Sequence, residues 1–374
     1  MSRHLSRPEF FKATWSHYAW RNYLSSLAPH PRSHLNVCSS SYLHQTPQIE
    51  EENNDSNSQR SNKMPWDGNN LFYPTHPRIW HRLPRNPVLF LVRWLYTHQP
   101  PIEGPLLPPH ATPIKVVCLS DTHNETPEVP DGDILIHAGD LTQNGTFAEL
   151  QAQLSWLAKL PHQHKIVIAG NHDLLLDATF SVKNGPSHGI EPGTHHTKDE
   201  LSWGDIIYLS SEFTTLRIRE RTLKVFGCPL THKYGNWAFQ HPPTKDIWAN
   251  IIPSGTDIVV THGPAKGHLD NDAAGCPHLI RELWRVKPRL AVWGHMHHGR
   301  GKETVLWDAV QNMYDTAVGT KAGGIAVFEF GVLVWIWRWL MWLVFGWKMM
   351  GRGVFVNAAI VGHWGVEVGT VVEI

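Results

Sequence analysis

The sequence predicts an α/β domain that begins near residue 114, and three observations predict it. Short runs rich in Val and Ile recur from there onward, each stopped by Gly or Pro, as buried strands are. A stretch with helical spacing, "FAELQAQLSWLAKL", lies between the second and third of them. Every run also ends in a polar cluster on its C-terminal side, the edge where sheets covered by helices bind ligands.

In order, "IKVVCLS" runs into "DTHN", "DILIHAGD" follows, and after the helical stretch comes "KIVIAGNHD". "LKVFGCPL", "DIVVTHGP", "LAVWGHMHHG" and "VFVNAAIVG" complete the set of strand candidates. The domain is expected over residues 114–374, behind an extension over 1–113. In that extension "IEEENNDSNSQRSN", residues 49–62, is almost free of apolar side chains. It cannot bury enough surface to offset the entropy of ordering and reads as a disordered linker. "VLFLVRWLY", residues 88–96, is apolar and suits a short helix lying on the domain or on a membrane surface. The proline-rich run "PPIEGPLLPPHATP" then makes a stiff, extended approach to the domain.

The chain has 374 residues, with 33 basic and 33 acidic side chains, so no net charge draws it to a nucleic-acid polymer or an anionic surface. Charged residues make up only 18%, whereas 26 histidines and 18 tryptophans are unusually many. Each histidine is a candidate ligand or proton carrier, and their abundance also makes any single His motif weak. Four cysteines, Cys38, Cys118, Cys228 and Cys276, lie far apart and form no CxxC pair. That argues against a zinc ribbon and fits a reducing compartment. No apolar core follows the basic residues at the N-terminus, so the expected location is the cytoplasm. Residues 1–48, with Arg3, Arg7, Lys12, Arg21 and Arg32 against Glu9, also carry the charge pattern of a mitochondrial transit peptide.

"FGVLVWIWRWLMWLVFGW", residues 330–347, is apolar except for Arg338. Its hydropathy suits a span of a bilayer, for which about 20 residues are needed. Arg338 at mid-span would cost about 2.5–3.5 kcal/mol. Topology is the stronger objection, because the strands before and after the segment belong to one domain and a single crossing would separate them. The segment is therefore expected as an insertion, about 325–350, that lies on a membrane, dips in and returns, or packs on the domain.

Taken singly, the polar clusters are weak signals. An Asp-x-His triplet arises by chance, a "GD" is most often a turn, and a "GHMH" pair on a strand shares a face without necessarily holding a metal. In combination they are specific. Five strand ends give Asp121-x-His123, Gly139-Asp140, Gly170-Asn171-His172, His262 and Gly294-His295-x-His297. The donors are oxygen and nitrogen without thiolate, which suits Mn, Fe, Zn or Ni rather than a structural zinc site.

These blocks, in this order, resemble the calcineurin-like metallophosphoesterases, D-x-H…GD…GNH[DE]…H…GHxH. The finer resemblance is to the metallophosphoesterase-domain-containing group, a branch similar to small phosphodiesterases. It rests on "LSDTHN", "ILIHAGDLTQNG", "GNHDLLLD", "LKVFGCPLTHKYGNWAF", "THGPAKGHLD", "GCPHL", "KPRLAVWGHMHHGRG" and "FVNAA". It covers about residues 114–304 and 354–361, and leaves out the first hundred residues and the Trp-rich insertion.

The resemblance implies a four-layer α/β/β/α sandwich of two mixed sheets flanked by helices. It implies two divalent metal ions (Mn, Fe or Zn) bridged by Asp140. Asp121, His123 and His297 would complete one site, and Asn171, His262 and His295 the other. His172 would bind the phosphate and protonate the leaving oxygen, a role suited to imidazole near pH 7. Asp173 would orient His172 or cap the turn. The expected activity is metal-dependent hydrolysis by a bridging hydroxide of a small or nucleotide phosphodiester, with the loops at 174–200 and 228–245 walling the substrate pocket. The histidines of those loops, His188, His195, His196, His232 and His241, are expected to be solvated. A phosphoprotein or phosphomonoester phosphatase, and a membrane-associated scaffold with a degenerate domain, are the alternatives. The expected partner is a small phosphate ester, with peripheral membrane contact through 330–347.

Overall fold

The computed structural model describes residues 92–94, 96, 112–180, 196–271, 274–320, 331–333, 335, 336, 338–340, 343, 351–362 and 365–374. All belong to one compact unit, Trp66–Ile374. The transit-like segment, the 49–62 linker, most of the proline-rich run and loop residues 181–195 lie outside the described residues.

Each Val/Ile-rich run becomes a strand: β1 (Lys115–Leu119), β2 (Ile134–Ala138) and β3 (His164–Ile168), followed by the short β4 (Ile206–Tyr208). Next come β5 (Glu212–Ile218), β6 (Arg221–Cys228), β7 (Thr231–His232), β8 (Gln240–His241), β9 (Ile258–Thr261) and β10 (Leu290–Trp293). β11 (Gly301–Leu306), β12 (Arg352–Asn357), β13 (Val361–Gly362), β14 (Gly365–Val366) and β15 (Thr370–Glu373) complete the set. The first large sheet has the order β15-β1-β2-β3-β4 and the second β11-β12-β10-β9-β6-β5. Both are mixed: β1 to β4 run parallel with β15 antiparallel, and β12, β10, β9 and β6 run parallel between antiparallel β11 and β5.

Strand periodicity separates three apolar layers. Val116, Cys118, Ile134, Ile136, Ile166 and Ile168 point from the first sheet into a shared core. Val225, Ile258, Val260, Leu290, Val292 and Val356 meet them from the second. The alternate residues of β1 to β3, among them Val117, Leu119, Leu135 and Val167, face outward onto Leu150, Leu154 and Leu157 of helix α1 (Phe147–Ala158). Phe226, Val259, Ala291, Trp293 and Phe355 likewise cover Leu279, Ile280 and Leu283 of helix α2 (Pro277–Val286). Each buried aliphatic side chain contributes about 1.5–3 kcal/mol, so both faces of both sheets stabilise the fold. The result is the expected α/β/β/α sandwich.

Local signals fix the helix ends. Thr146 Oγ1 accepts the Glu149 amide at 3.2 Å while Glu149 Oε2 accepts the Thr146 amide at 3.2 Å, a reciprocal N-terminal cap on α1. Helix α2 starts with Pro277 and stops at Lys287, which is left-handed (φ 52°) and is followed by Pro288.

Between β11 and β12 the chain leaves the sandwich, forms helix α3 (Ala309–Thr320) and carries the Trp-rich segment. The described residues among 331–343 are helical. Because β10 pairs directly with β12 (Leu290 beside Val354), the segment is flanked by strands of one sheet. Among the described residues, no helix is long and apolar enough to cross a membrane. Residues 92–94 and 96 are helical as well, and Val92 and Tyr96 pack on Tyr314, Ala317 and Val318 of α3.

Candidate metal centre

The C-terminal ends of β1, β2 and β3 in one sheet face those of β9 and β10 in the other. They bring Asp121, His123, Asp140, Asn171, His172, His262, His295 and His297 to one place. Three overlapping groups have ligand atoms within 4.8 Å of one another: Asp121, His123 and His297; His123, Asp140 and His172; and Asp140, His262 and His295. Asp140 is common to the second and third, and His123 joins the first to the second. Asn171 belongs there as well, with its Oδ1 3.0 Å from His262 Nε2.

The backbone reaches these positions under strain. Asp121 (φ 56°), His123 (φ 44°), Asp140 (φ 55°) and His295 (φ 65°) are all left-handed, a conformation that costs a non-glycine residue roughly 1–2 kcal/mol. Such strain persists only where the surroundings over-determine it. Here Asp121 N donates to Gly139 O (2.9 Å), His123 N to Asp140 O (3.2 Å), and His295 N to both Asp121 carboxylate oxygens (3.0 and 3.1 Å). The glycines before the clusters serve two different needs. Gly139 takes a positive φ of 96°, whereas Gly170 and Gly294 are required by close approach. A Cβ on Gly294 would lie 2.1 Å from Asp121 Oδ2, and one on Gly170 would lie 2.2 Å from Asp140 Oδ1.

Hydrogen bonds fix which ring atoms face the centre. His262 Nδ1 lies 2.9 Å from Ala138 O, and a carbonyl only accepts, so Nδ1 carries the hydrogen. His262 Nε2 is then aimed at Asn171 Oδ1 (3.0 Å) and Asp140 Oδ2 (3.3 Å). Three donor atoms therefore converge on one buried point, where either a proton on Nε2 or a metal cation would join them. On the other side His297 Nε2 stands 3.3 Å from Asp121 Oδ1 and His123 Nε2 stands 3.9 Å from Asp140 Oδ2. His123 Nδ1 is buried without a hydrogen-bond partner. Buried carboxylates, aimed imidazole nitrogens and an amide oxygen are the donor set of a hard-to-borderline divalent metal, and the residues fit one.

The electrostatics agree. Burial pushes Asp121 and Asp140 up, but His297 and His262 respectively outweigh it and hold both carboxyls below their ordinary range. Burial lowers His262, yet the charge of Asp140 beside it raises the ring to about 9. His295 is pushed down to about 3 by burial and by His262, and His123 to about 4 by burial against the opposing pull of Asp140. A site that concentrates carboxylates holds cations, whether protons or metals.

His172 sits at the rim of this group. Its Nδ1 lies 2.8 Å from Gln143 O, so that nitrogen donates and Nε2 is left to face a ligand. The ring packs edge-on against His123 (centroids 4.8 Å apart) and beside Trp237 (4.2 Å). Asp173 does not orient His172, but it does hold the turn that starts at Gly170. Its buried carboxylate accepts from Gly170 N (2.8 Å), Leu141 N (3.2 Å), Thr142 N (3.0 Å) and Thr142 Oγ1 (2.8 Å). It ties the loop after β2 to the loop after β3, and the orienting partner of His172 is the Gln143 carbonyl. Asn357 plays the same part on the other sheet, donating from Nδ2 to Met296 O (2.9 Å) and Leu269 O (3.0 Å). Gln143, Trp237 and Asn357 carry no spacing signal that marks them in the sequence.

Next to the centre lies a cavity of about 320 Å³ whose wall includes His295, His232, His241, Tyr234 and Trp248. Residues of the 228–245 loop line it together with Gly263, Pro264 and Asn271. His241 is buried and His232 half-buried rather than fully solvated: they pack ring to ring (5.1 Å), and burial pushes His232 down to about 4. His196, by contrast, is exposed and pairs with Glu200 at 2.7 Å. His188 and His195 lie outside the described residues.

Comparison with known proteins gives the centre its context. A protein of Emericella nidulans named Probable rhamnogalacturonate lyase C is 41% identical over 290 residues, 76% of this chain. The chain spans only 26% of that relative's length. Metallophosphoesterase domain-containing protein 1 of Homo sapiens is 37% identical over 236 residues, covering 57% of this chain and 70% of the human protein. A solved structure, TT1561 of Thermus thermophilus, superposes with a TM-score of 0.33 at 15% identity over 53% of this chain and 87% of its own, too low to carry an inference. The family model described as calcineurin-like phosphoesterase matches residues 110–299, which hold Asp121, His123, Asp140, Asn171, His172, His262, His295 and His297. The chain belongs to the calcineurin-like phosphoesterases.

Proposed function

We propose that the chain hydrolyses a small or nucleotide phosphodiester at a dinuclear divalent metal centre. Asp121, His123 and His297 would hold one ion, Asn171, His262 and His295 the other, and Asp140 would bridge them. The observation that carries the reading is the convergence of His262 Nε2, Asn171 Oδ1 and Asp140 Oδ2, with both oxygens within 3.3 Å of the histidine nitrogen. Divalent ions bound there would supply Lewis acidity and an activated water at neutral pH.

The chain's own residues account for the remaining steps. The histidine rings and the neutral Asn171 amide limit the negative charge around a site that receives a phosphate anion. His172, held through Nδ1 by Gln143 O (2.8 Å), presents Nε2 to the scissile ester. As imidazolium it would donate that proton to the departing oxygen, a contribution of about 10²–10⁴ in rate. Trp237 and His123 fix the ring's tilt, so the proton is aimed rather than merely available.

A diester is favoured over a monoester by the adjoining cavity. It has room and apolar wall for a second organic substituent, and among the described residues Lys233 is the only lysine or arginine that lines it. A dianionic monoester would ask for more positive charge than that. The test is hydrolysis of bis-p-nitrophenyl phosphate and p-nitrophenyl phosphate by the full chain, with Mn²⁺ or EDTA, beside Asp140→Ala and His172→Ala. Diester turnover that needs metal, vanishes in Asp140→Ala and drops about 10²–10⁴-fold in His172→Ala is expected. A folded, metal-loaded chain that turns over neither ester would refute the reading.

A further inference from the structure

We infer that the Trp-rich segment docks the protein in the plane of a lipid bilayer through the stripe Leu333, Ile336, Leu340 and Leu343. These four aliphatic side chains recur at three- and four-residue steps, so they share one helix face. All four point to solvent, at 66%, 45%, 50% and 68% exposure. The opposite face holds the segment on the protein. Gly331 packs against Met313 of α3, where an added Cβ would lie 2.9 Å from Met313 Cε. Arg338 is 2% exposed and pairs with Asp308 at 3.3 Å. The one charge in the apolar run is thereby turned inward and neutralised, which leaves the stripe wholly apolar. A segment built to span a bilayer would have no use for that arrangement; one built to lie on a bilayer requires it.

The occupant is identified as lipid by three features. Tryptophan, which favours the boundary between headgroups and acyl chains, occurs at 335, 337, 339, 342 and 347. Between Glu329 and Glu367 no aspartate or glutamate occurs, and Lys348 and Arg352 follow the stripe on its C-terminal side. A segment without carboxylates that is followed by basic residues is complementary to anionic headgroups. An apolar face with charge at its margins is also the pattern of helices that lie in the interface rather than cross it. The neighbouring helical residues 92–94 and 96 pack on the same helix α3 through Val92 and Tyr96, and leave Trp94 47% exposed.

The test is co-sedimentation of the full chain with sucrose-loaded vesicles of phosphatidylcholine, with and without about 30% phosphatidylserine. The double variant Ile336→Glu with Leu340→Glu, which puts two charges into the stripe, is measured beside it. The expected result is partition of the native chain, strengthened by phosphatidylserine, with a blue shift in Trp emission. The double variant should bind at least ~10-fold more weakly while keeping its far-UV circular dichroism and its phosphoesterase activity. Asp140→Ala should bind as the native chain does, which separates docking from catalysis. A native chain left in the supernatant, or a double variant that binds equally, would overturn the inference. So would a native dimer in sedimentation velocity without vesicles that the double variant converts to monomer, because the stripe would then join two copies of the chain.

Discussion

Gly170 approaches Asp140 so closely that a Cβ on the glycine would lie 2.2 Å from Asp140 Oδ1 and 2.3 Å from its backbone nitrogen. The strand end of β3 and the carboxylate after β2 are thus in contact through a missing side chain. Asp140 Oδ1 also accepts the His172 amide at 2.8 Å, so the same approach places the residue proposed as proton donor. Gly170→Ala is expected to displace Asp140 and lower phosphoesterase activity at least ~100-fold, since displacements near 1 Å cost that much. Destabilisation by overpacking should be about 1–3 kcal/mol. Metal content per chain and turnover, measured on the folded variant, check it; native values for both would remove the steric argument.

Asp173 is a brace, and its removal should be read in stability. Asp173→Ala leaves the amides of Gly170, Leu141 and Thr142 without their acceptor in a buried loop, while the Thr142 hydroxyl keeps only His172 O at 3.3 Å. Unsatisfied buried donors cost about 1–3 kcal/mol each before relaxation, so a net loss of about 2–5 kcal/mol is expected. In thermal denaturation that is a fall of roughly 5–15 °C. Asp173→Asn keeps one acceptor oxygen and should lose less. A midpoint unchanged in Asp173→Ala would mean that the loops do not depend on this carboxylate.

Trp237 is expected to act on His172 rather than on the metals. Trp237→Ala should lower kcat about 10-fold or more through loss of aim of the imidazole, with metal content unchanged. Trp237→Phe, which keeps an aromatic face beside the ring, should recover most of it. The decisive reading is the ratio of kcat to KM effects: a change confined to KM would make Trp237 a substrate wall and nothing more.

A buried charge cluster away from the centre predicts a dependence of stability on pH. His268 is bonded to Glu303 from β11 and, at 2.8 Å, to Asp315 from α3, and Tyr96, Tyr314 and Phe355 enclose it. Burial lowers the imidazole, but Glu303 and Asp315 more than offset it and raise the ring to about 10. Burial raises both tyrosine hydroxyls above their ordinary value, so they stay neutral through this window. A raised pKa stabilises the fold fully below the unfolded value near 6.5, and that stability is lost as pH rises through about 10. The thermal midpoint should therefore decline between pH 7 and 10. His268→Gln should lower the midpoint at neutral pH and flatten the decline; an equally steep slope in the variant would assign it to other groups.

The strands that carry the centre were legible because their signals are local. "KVVCL", "ILIHA", "IVVT" and "LAVW" are apolar and β-branched, stop at Gly or a polar cluster, and became β1, β2, β9 and β10. Strands β5 and β11 were not legible. "EFTTLRI" and "GKETVL" are partly exposed edge strands whose polar residues hide the alternation. Helix α3, "AVQNMYDTAVGT", was missed for a similar reason, because its buried polar residues Gln311 and Asp315 blur its apolar face.

By itself the sequence determined the order and type of the donors: Asp, His, Asp, Asn, His, His and His at five strand ends, all from short local patterns. Its strand pattern also argued against a simple crossing by the apolar stretch at 330–347. Tertiary structure alone decided the rest. Which nitrogen of His262 or His172 faces the centre depends on carbonyls 124 and 29 residues away in the chain. Whether Arg338 faces lipid or protein depends on Asp308 meeting it across a turn of the fold. Distances of that kind are set by how two sheets pack, and no local pattern of residue types encodes them.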